Sequence, residues 1–83
     1  MYQILLNPGI YDKLSKLDKS ISSQIMDKIE SLKENPKIGK PLSGKLAGIW
    51  RIRVNKFRVL YQIFEEKLVI LVLNFGHRKN IYN

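Results

Sequence analysis

The chain contains no cysteine and a single histidine, His77. Disulfides and thiolate metal sites are thereby excluded, and one imidazole cannot build a zinc centre without several unusual partners, so neither a metal nor another cofactor is expected. Long apolar runs are also missing. The longest, "LVILVL" at residues 68–73, falls well short of the roughly 20 apolar residues that cross a bilayer. The opening "MYQILLNPG" has neither the charged n-region nor the apolar h-region of a secretory signal. A cytoplasmic protein without membrane association is the expectation. Acidic residues are scarce too: seven Asp and Glu stand against fifteen Lys and Arg, a net charge of +8 over 83 residues. That balance favours a polyanionic partner, RNA, DNA or an acidic protein, without choosing among them. The length suits one domain, residues 1–83, with one modest core, so a site is expected on the surface or in a shallow groove.

What is present reads as alternating strand and helix patterns. "YQILL" at 2–6 predicts a first strand, closed by Asn7-Pro8-Gly9, where Asn7 suits a helix cap and Pro8 the first turn. Ile10, Leu14 and Leu17, then Ile21, Ile25, Ile29 and Leu32 recur at helical spacing and predict two amphipathic helices in an αα-hairpin. Asn35-Pro36 should stop the second. Residues 36–48, "PKIGKPLSGKLAG", read as a basic loop with Lys37, Lys40 and Lys45, and lack the Walker spacing of a phosphate-binding loop. Strands are predicted at about 49–54, 57–63 and 68–75, with Gly76 bending or ending the last.

The stretch "IWRIRVNKFRVLYQI" at 49–63 sets arginines among residues that belong in a core. A two-residue turn at Asn55-Lys56 places Val54 opposite Phe57, Ile52 opposite Val59 and Trp50 opposite Tyr61, all on one apolar face. Trp50, Phe57 and Tyr61 are accordingly core aromatics. The same register sets Arg53 directly opposite Arg58, with Arg51 beside them, on the other face. Like charges across a ladder destabilise a hairpin by roughly 0.2–1 kcal/mol, and a bound phosphate offsets that loss through charge-assisted, often bidentate bonds. The competing account is a solvated face, or pairing with Glu30 or Glu34 on the helices. The tail "FGHRKNIY", with His77, Arg78, Lys79 and Tyr82, follows directly and can bring its side chains over the arginines.

Along nearly its whole length the sequence resembles the RelE/ParE superfamily of toxin–antitoxin toxins. The resemblance rests on "NP" before the first helix, "NPKIGKPLSGKLAGIWRIRVNKFRVLYQI" from the second helix into the hairpin, and "VLNFGHRKNIY" at the end. It implies a compact α+β fold: a mainly antiparallel four-stranded sheet packed on an N-terminal αα-hairpin, in the order β-α-α-β-β-β. For the RelE branch it also implies a metal-independent, ribosome-dependent endoribonuclease that cuts mRNA by 2′-hydroxyl attack and inhibits translation. A small acidic RelB-like antitoxin would silence it. By motif, Arg51 and Arg53 fall at two strand-borne basic positions that are commonly lysine. Arg58 matches the arginine of the "YR" or "FR" pair, Arg78 that of "G-x-R", and Tyr82 the closing tyrosine. The replacement of both lysines and the end of the sequence one residue after Tyr82 are the departures from the pattern.

Chemistry divides the roles. Cleavage needs proton removal from the 2′-hydroxyl, stabilisation of charge at phosphorus, and protonation of the leaving oxygen. Arginine stays protonated and suits only the second task, so Arg51, Arg53, Arg58 and Arg78 are expected to bind phosphate. Tyr82 is the candidate proton acceptor, or else stacks on a base. His77 is a further candidate for proton transfer, although an extended chain turns it away from Arg78. Lys37, Lys40, Lys45 and Lys79 are expected to attract RNA non-specifically. Two other classes stay open: a ParE-type toxin that binds DNA gyrase and cuts nothing, and a catalytically silent RNA- or partner-binding homologue.

Overall fold

A computed structural model describes residues 1–77. In chain order these form β1 (Gln3–Leu6), α1 (Ile10–Ser15), α2 (Lys19–Ser31), β2 (Lys40–Pro41), β3 (Trp50–Val54), β4 (Phe57–Phe64) and β5 (Val69–His77). The helical spacing read from the sequence decides which face packs. Ile10 and Leu14 of α1 and Ile25 and Ile29 of α2, joined by Leu32 just past its end, are buried against the sheet. Ile21 and Leu17 pack at the margin of that core.

Among the described residues the sheet has five strands in the order β1-β5-β4-β3-β2, with β1 parallel to β5 and the other pairs antiparallel. The helices cover one face, where Ile52, Val54, Phe57, Val59, Tyr61, Ile70, Val72 and Phe75 complete the core. The architecture is the expected α+β one with a strand added. Lys40 and Pro41, predicted as loop, pair with Arg51 and Trp50. Two residues carry no period that a sequence pattern can reveal, so β2 is invisible until β3 is present to pair with it.

Two local expectations change. Asn7 does not cap α1: that position is Gly9, in the left-handed region at φ 92, and the Asn7 side chain instead donates to the Leu73 carbonyl at 3.2 Å. Nor does Gly76 end the last strand; β5 runs on through His77, and Gly76 sits opposite Arg58. What does interrupt β5 is a bulge: Leu60 pairs with Asn74 but Tyr61 pairs with Val72, leaving Leu73 as the extra residue. A bulge inverts the side-chain alternation. It is why Ile70 and Val72 on one side of it and Phe75 on the other can all point into the core.

Candidate nucleic-acid interface

The face of the sheet turned away from the helices is set by β3 and β4. The hairpin register is the one the sequence predicts: Trp50 with Tyr61, Arg51 with Leu60, Ile52 with Val59, Arg53 with Arg58 and Val54 with Phe57. A two-residue turn closes it, with Asn55 at φ 56 and its side-chain amide donating to Gln24 Oε1 of α2. Asparagine tolerates this left-handed conformation better than most residues. Because directly paired residues share a face, Arg51, Arg53 and Arg58 lie together, opposite the aromatic core.

The extra strand adds a cation that the sequence placed only in a loop. Lys40 is the register partner of Arg51 and therefore joins the same face. Lys40, Arg51 and Arg53, with Ile38, Gly39 and Ile52, line an open groove of about 240 Å³. That is smaller than the typical cavity for a drug-sized ligand and suits a group the size of a phosphodiester. Arg53 is exposed and Arg51 partly so, whereas Arg58 is buried at 7 % exposure.

The groove is held in place from the core side. The Tyr61 hydroxyl donates to the Pro36 carbonyl at 2.7 Å and accepts the backbone N–H of Gly39, pinning the start of the basic loop beside β3. Burial pushes the Tyr61 phenol up from its ordinary value, and the Gly39 hydrogen bond only partly opposes that. Trp50 stacks on Tyr61 with ring centroids 6.4 Å apart. Sequence reading placed Tyr61 in the core but missed its polar end, whose partners lie 22 and 25 residues away.

Lys37, Lys45 and His77 are not gathered here. Lys37 pairs with Glu65 at 3.1 Å, in the turn between β4 and β5. Together with Trp50, Ile63, Phe64, Glu66 and Lys67 these two line a roomier hollow of about 490 Å³. Two lysines balance two glutamates there, so it offers an anion no advantage. Lys45 is exposed on a single helical turn, Gly44–Leu46, and among the described residues pairs with no strand of the arginine face. His77 is the register partner of Phe57, and their rings lie 4.6 Å apart. That sets it on the helix-facing side of the sheet, away from Arg53 and Arg58. Arg78, Lys79 and Tyr82 lie outside the described residues.

Among the described residues, register gives this face no histidine, carboxylate or tyrosine. The described residues of this face supply fixed positive charge, which can hold a phosphodiester and stabilise negative charge on it.

A basic sheet face backed by a helical hairpin defines a small α+β protein. Residues 9–82 match the model of the ParE toxin family of the type II toxin–antitoxin system parDE. A protein of Escherichia coli named as a RelE-like toxin is 34% identical over 89 residues, covering 99% of this chain and 90% of that protein. A protein of Methanocaldococcus jannaschii named as a RelE toxin is 33% identical over 86 residues, covering 99% and 92%. Among solved structures, the toxin–antitoxin complex RelBE2 from Mycobacterium tuberculosis superposes with a TM-score of 0.83 at 29% identity, over 93% of this chain and 98% of that one. The isolated E. coli RelE toxin shares the fold, with a TM-score of 0.77 at 23% identity over 99% and 92%. The chain belongs to the RelE/ParE superfamily and is a toxin of the type II toxin–antitoxin kind.

Proposed function

We propose that this toxin is a metal-independent, ribosome-dependent endoribonuclease that cuts mRNA through attack by the 2′-hydroxyl and so blocks translation. The observation that carries the reading is the pairing of Arg53 with Arg58, flanked by Arg51 and Lys40 on the same sheet face. Four cations gathered, among the described residues, without a carboxylate on the same face suit a phosphate that gains charge as the reaction proceeds. Arg51, Arg53, Arg58 and Arg78 are assigned to charge stabilisation, Tyr82 to proton acceptance or base stacking, and Lys40 and Lys79 to RNA attraction. His77 has no part in proton transfer on this reading, because it faces the other way. The cognate partner is a small acidic antitoxin; the solved relatives include toxin–antitoxin complexes from bacteria and an archaeon, which supports it.

Primer extension on translated mRNA tests the reading. Induced expression should yield codon-positioned cuts in ribosome-bound transcripts, and Arg53→Ala with Arg78→Ala should abolish them. Cuts that survive both replacements reject the site.

A second reading is favoured by the family model, which describes ParE toxins. The chain would then bind DNA gyrase through the same cationic face and leave RNA whole. Intact transcripts together with arrested replication on induction would select it.

A further inference from the structure

β1 stops supporting β5 halfway along. Their pairing ends at Leu6 with Val72, so beyond that point β5 has a sheet neighbour on one side only among the described residues, namely β4. An edge of this kind leaves backbone groups unmet and the strand end prone to fray. Here it begins at the bulge, where the ladder is already interrupted. Yet this half of β5 backs the cationic face, because Val59 pairs with Phe75, Arg58 with Gly76 and Phe57 with His77.

Two side chains from the β1–α1 segment occupy that edge. Asn7 donates its side-chain amide to the Leu73 carbonyl at 3.2 Å, while its backbone N–H donates to the Val72 carbonyl at 3.0 Å. One turn into α1, Lys13 Nζ donates to Asn74 Oδ1 at 2.7 Å and to the Phe75 carbonyl at 2.5 Å, and lies 4.6 Å from the centre of the Phe75 ring. Asn74 Oδ1 also accepts the Phe75 N–H at 2.9 Å. The ammonium thus meets two oxygens and an aromatic face at once, all on the bulged segment. Charge-assisted bonds of this sort are stronger and more directional than neutral ones. Neighbouring Lys16, by contrast, pairs with exposed Asp12 at 3.2 Å.

We propose that Lys13 and Asn7 are positioning residues: a clamp that fixes the bulge of β5 and thereby holds the end of that strand in register behind Arg58. The parity of the bulge decides what the cationic face contains. With the bulge in place Gly76, which has no side chain to crowd the guanidinium, lies across from Arg58 and His77 turns to the helix side. Were the bulge lost, the segment beyond it would shift by one residue and its alternation would reverse. The proposal rests on the nuclease reading only for its catalytic arm.

The test is Lys13→Met, which keeps the length of the side chain and removes the donor and the charge. Amide hydrogen exchange on the full chain should lose protection by about tenfold at Arg58, Phe75 and Gly76, with Ile70 and Val72 unchanged. Cleavage of translated mRNA should fall in kcat by about tenfold or more with KM little altered, since a misplaced charge harms the reaction more than encounter. Lys13→Arg should restore much of both, and Lys16→Met should change neither. If Lys13→Met unfolds the chain, Asn7→Ala decides by the same readouts. Unchanged exchange at the end of β5, or full cleavage despite altered exchange, overturns the proposal. A wild-type protein that never cuts RNA removes the nuclease reading instead, and the exchange pattern then decides the clamp alone.

Discussion

Arg53 and Arg58 face each other across the β3–β4 ladder, the first exposed to solvent and the second buried. Two like charges in register repel, which works against the hairpin. A hairpin that keeps such a pair is better suited to an anion than to its own stability.

Replacing Arg53 with threonine should therefore separate stability from function. Threonine favours strands and ends the repulsion, so urea denaturation should show a gain of about 0.2–1 kcal/mol. Toxicity on induction, or mRNA cleavage in a translation extract, should fall sharply. Loss of stability in this variant would mean that an anion-independent partner of Arg53 had been removed.

Lys40 and Lys45 sit in the same basic loop, yet only Lys40 is brought to the arginine face by pairing with β3. Lys40→Ala should weaken binding to a single-stranded RNA oligonucleotide and lower the slope of log affinity against log salt by about 0.7, the loss of one phosphate contact. Lys45→Ala should leave that slope as it is. Fluorescence anisotropy over a salt series distinguishes them, and equal effects would show that the loop acts as a diffuse charge.

Gly39 is required by crowding, with no need for an unusual backbone angle. A methyl group at this position would collide with the Arg51 carbonyl and the Tyr61 hydroxyl. Gly39→Ala should cost about 1–3 kcal/mol, as overpacking usually does, measured by urea denaturation. Tyr61→Phe removes one of the colliding atoms and leaves the Pro36 carbonyl without its donor, at a cost of about 1–3 kcal/mol. The two changes share a partner, so the double variant should lose less than the sum of the singles.

The same tyrosine gives the fold an alkaline limit. Burial raises its folded pKa above the unfolded value, which for a free tyrosine is about 10. Between the two values the unfolded chain has released the proton and the folded chain still holds it, so stability falls as pH rises. The contribution is complete below pH ~10 and is lost as pH climbs through the folded value. Thermal melts of wild type should decline over that window, and those of Tyr61→Phe should decline less. Parallel curves would refute the assignment.

Much of this architecture can be read in the sequence because it rests on period and parity. Ile25, Ile29 and Leu32 announce the buried helix face, and the alternation around Asn55-Lys56 places each arginine on its correct side before any coordinates are known. What escapes are features with no period. β2 is two residues long and exists only through β3. The bulge at Leu73 lies inside "LVILVLNF", where unbroken apolar character hides the change of phase that Phe75 requires. Lys13 reads as one more solvated helix lysine, since its partners lie 61 and 62 residues away. Arg58 shows the same limit from the other side: parity fixes its face but not its depth.

Leu68 offers a way to steady the molecule without touching the cationic face. It ends the turn between β4 and β5 at φ 53, a left-handed conformation that an L-residue with a branched side chain seldom adopts, and its side chain is largely exposed. The conformation costs about 1–2 kcal/mol in a non-glycine residue, and little burial offsets it. The Leu68 carbonyl accepts the Gln3 N–H at 2.8 Å and its N–H donates to the Glu65 carbonyl at 3.3 Å, so the backbone here is held in place by both neighbours. Glycine would adopt the angle freely but adds freedom to the unfolded chain, about 0.5–1 kcal/mol in the opposite direction. Leu68→Gly should therefore raise the urea midpoint slightly, and Leu68→Asn, which tolerates the angle with less unfolded-state freedom, should raise it at least as much. Leu68→Val should lower it, because a β-branched side chain fits this region worst of all. A midpoint that rises with valine would show that the turn relaxes out of the left-handed region in solution.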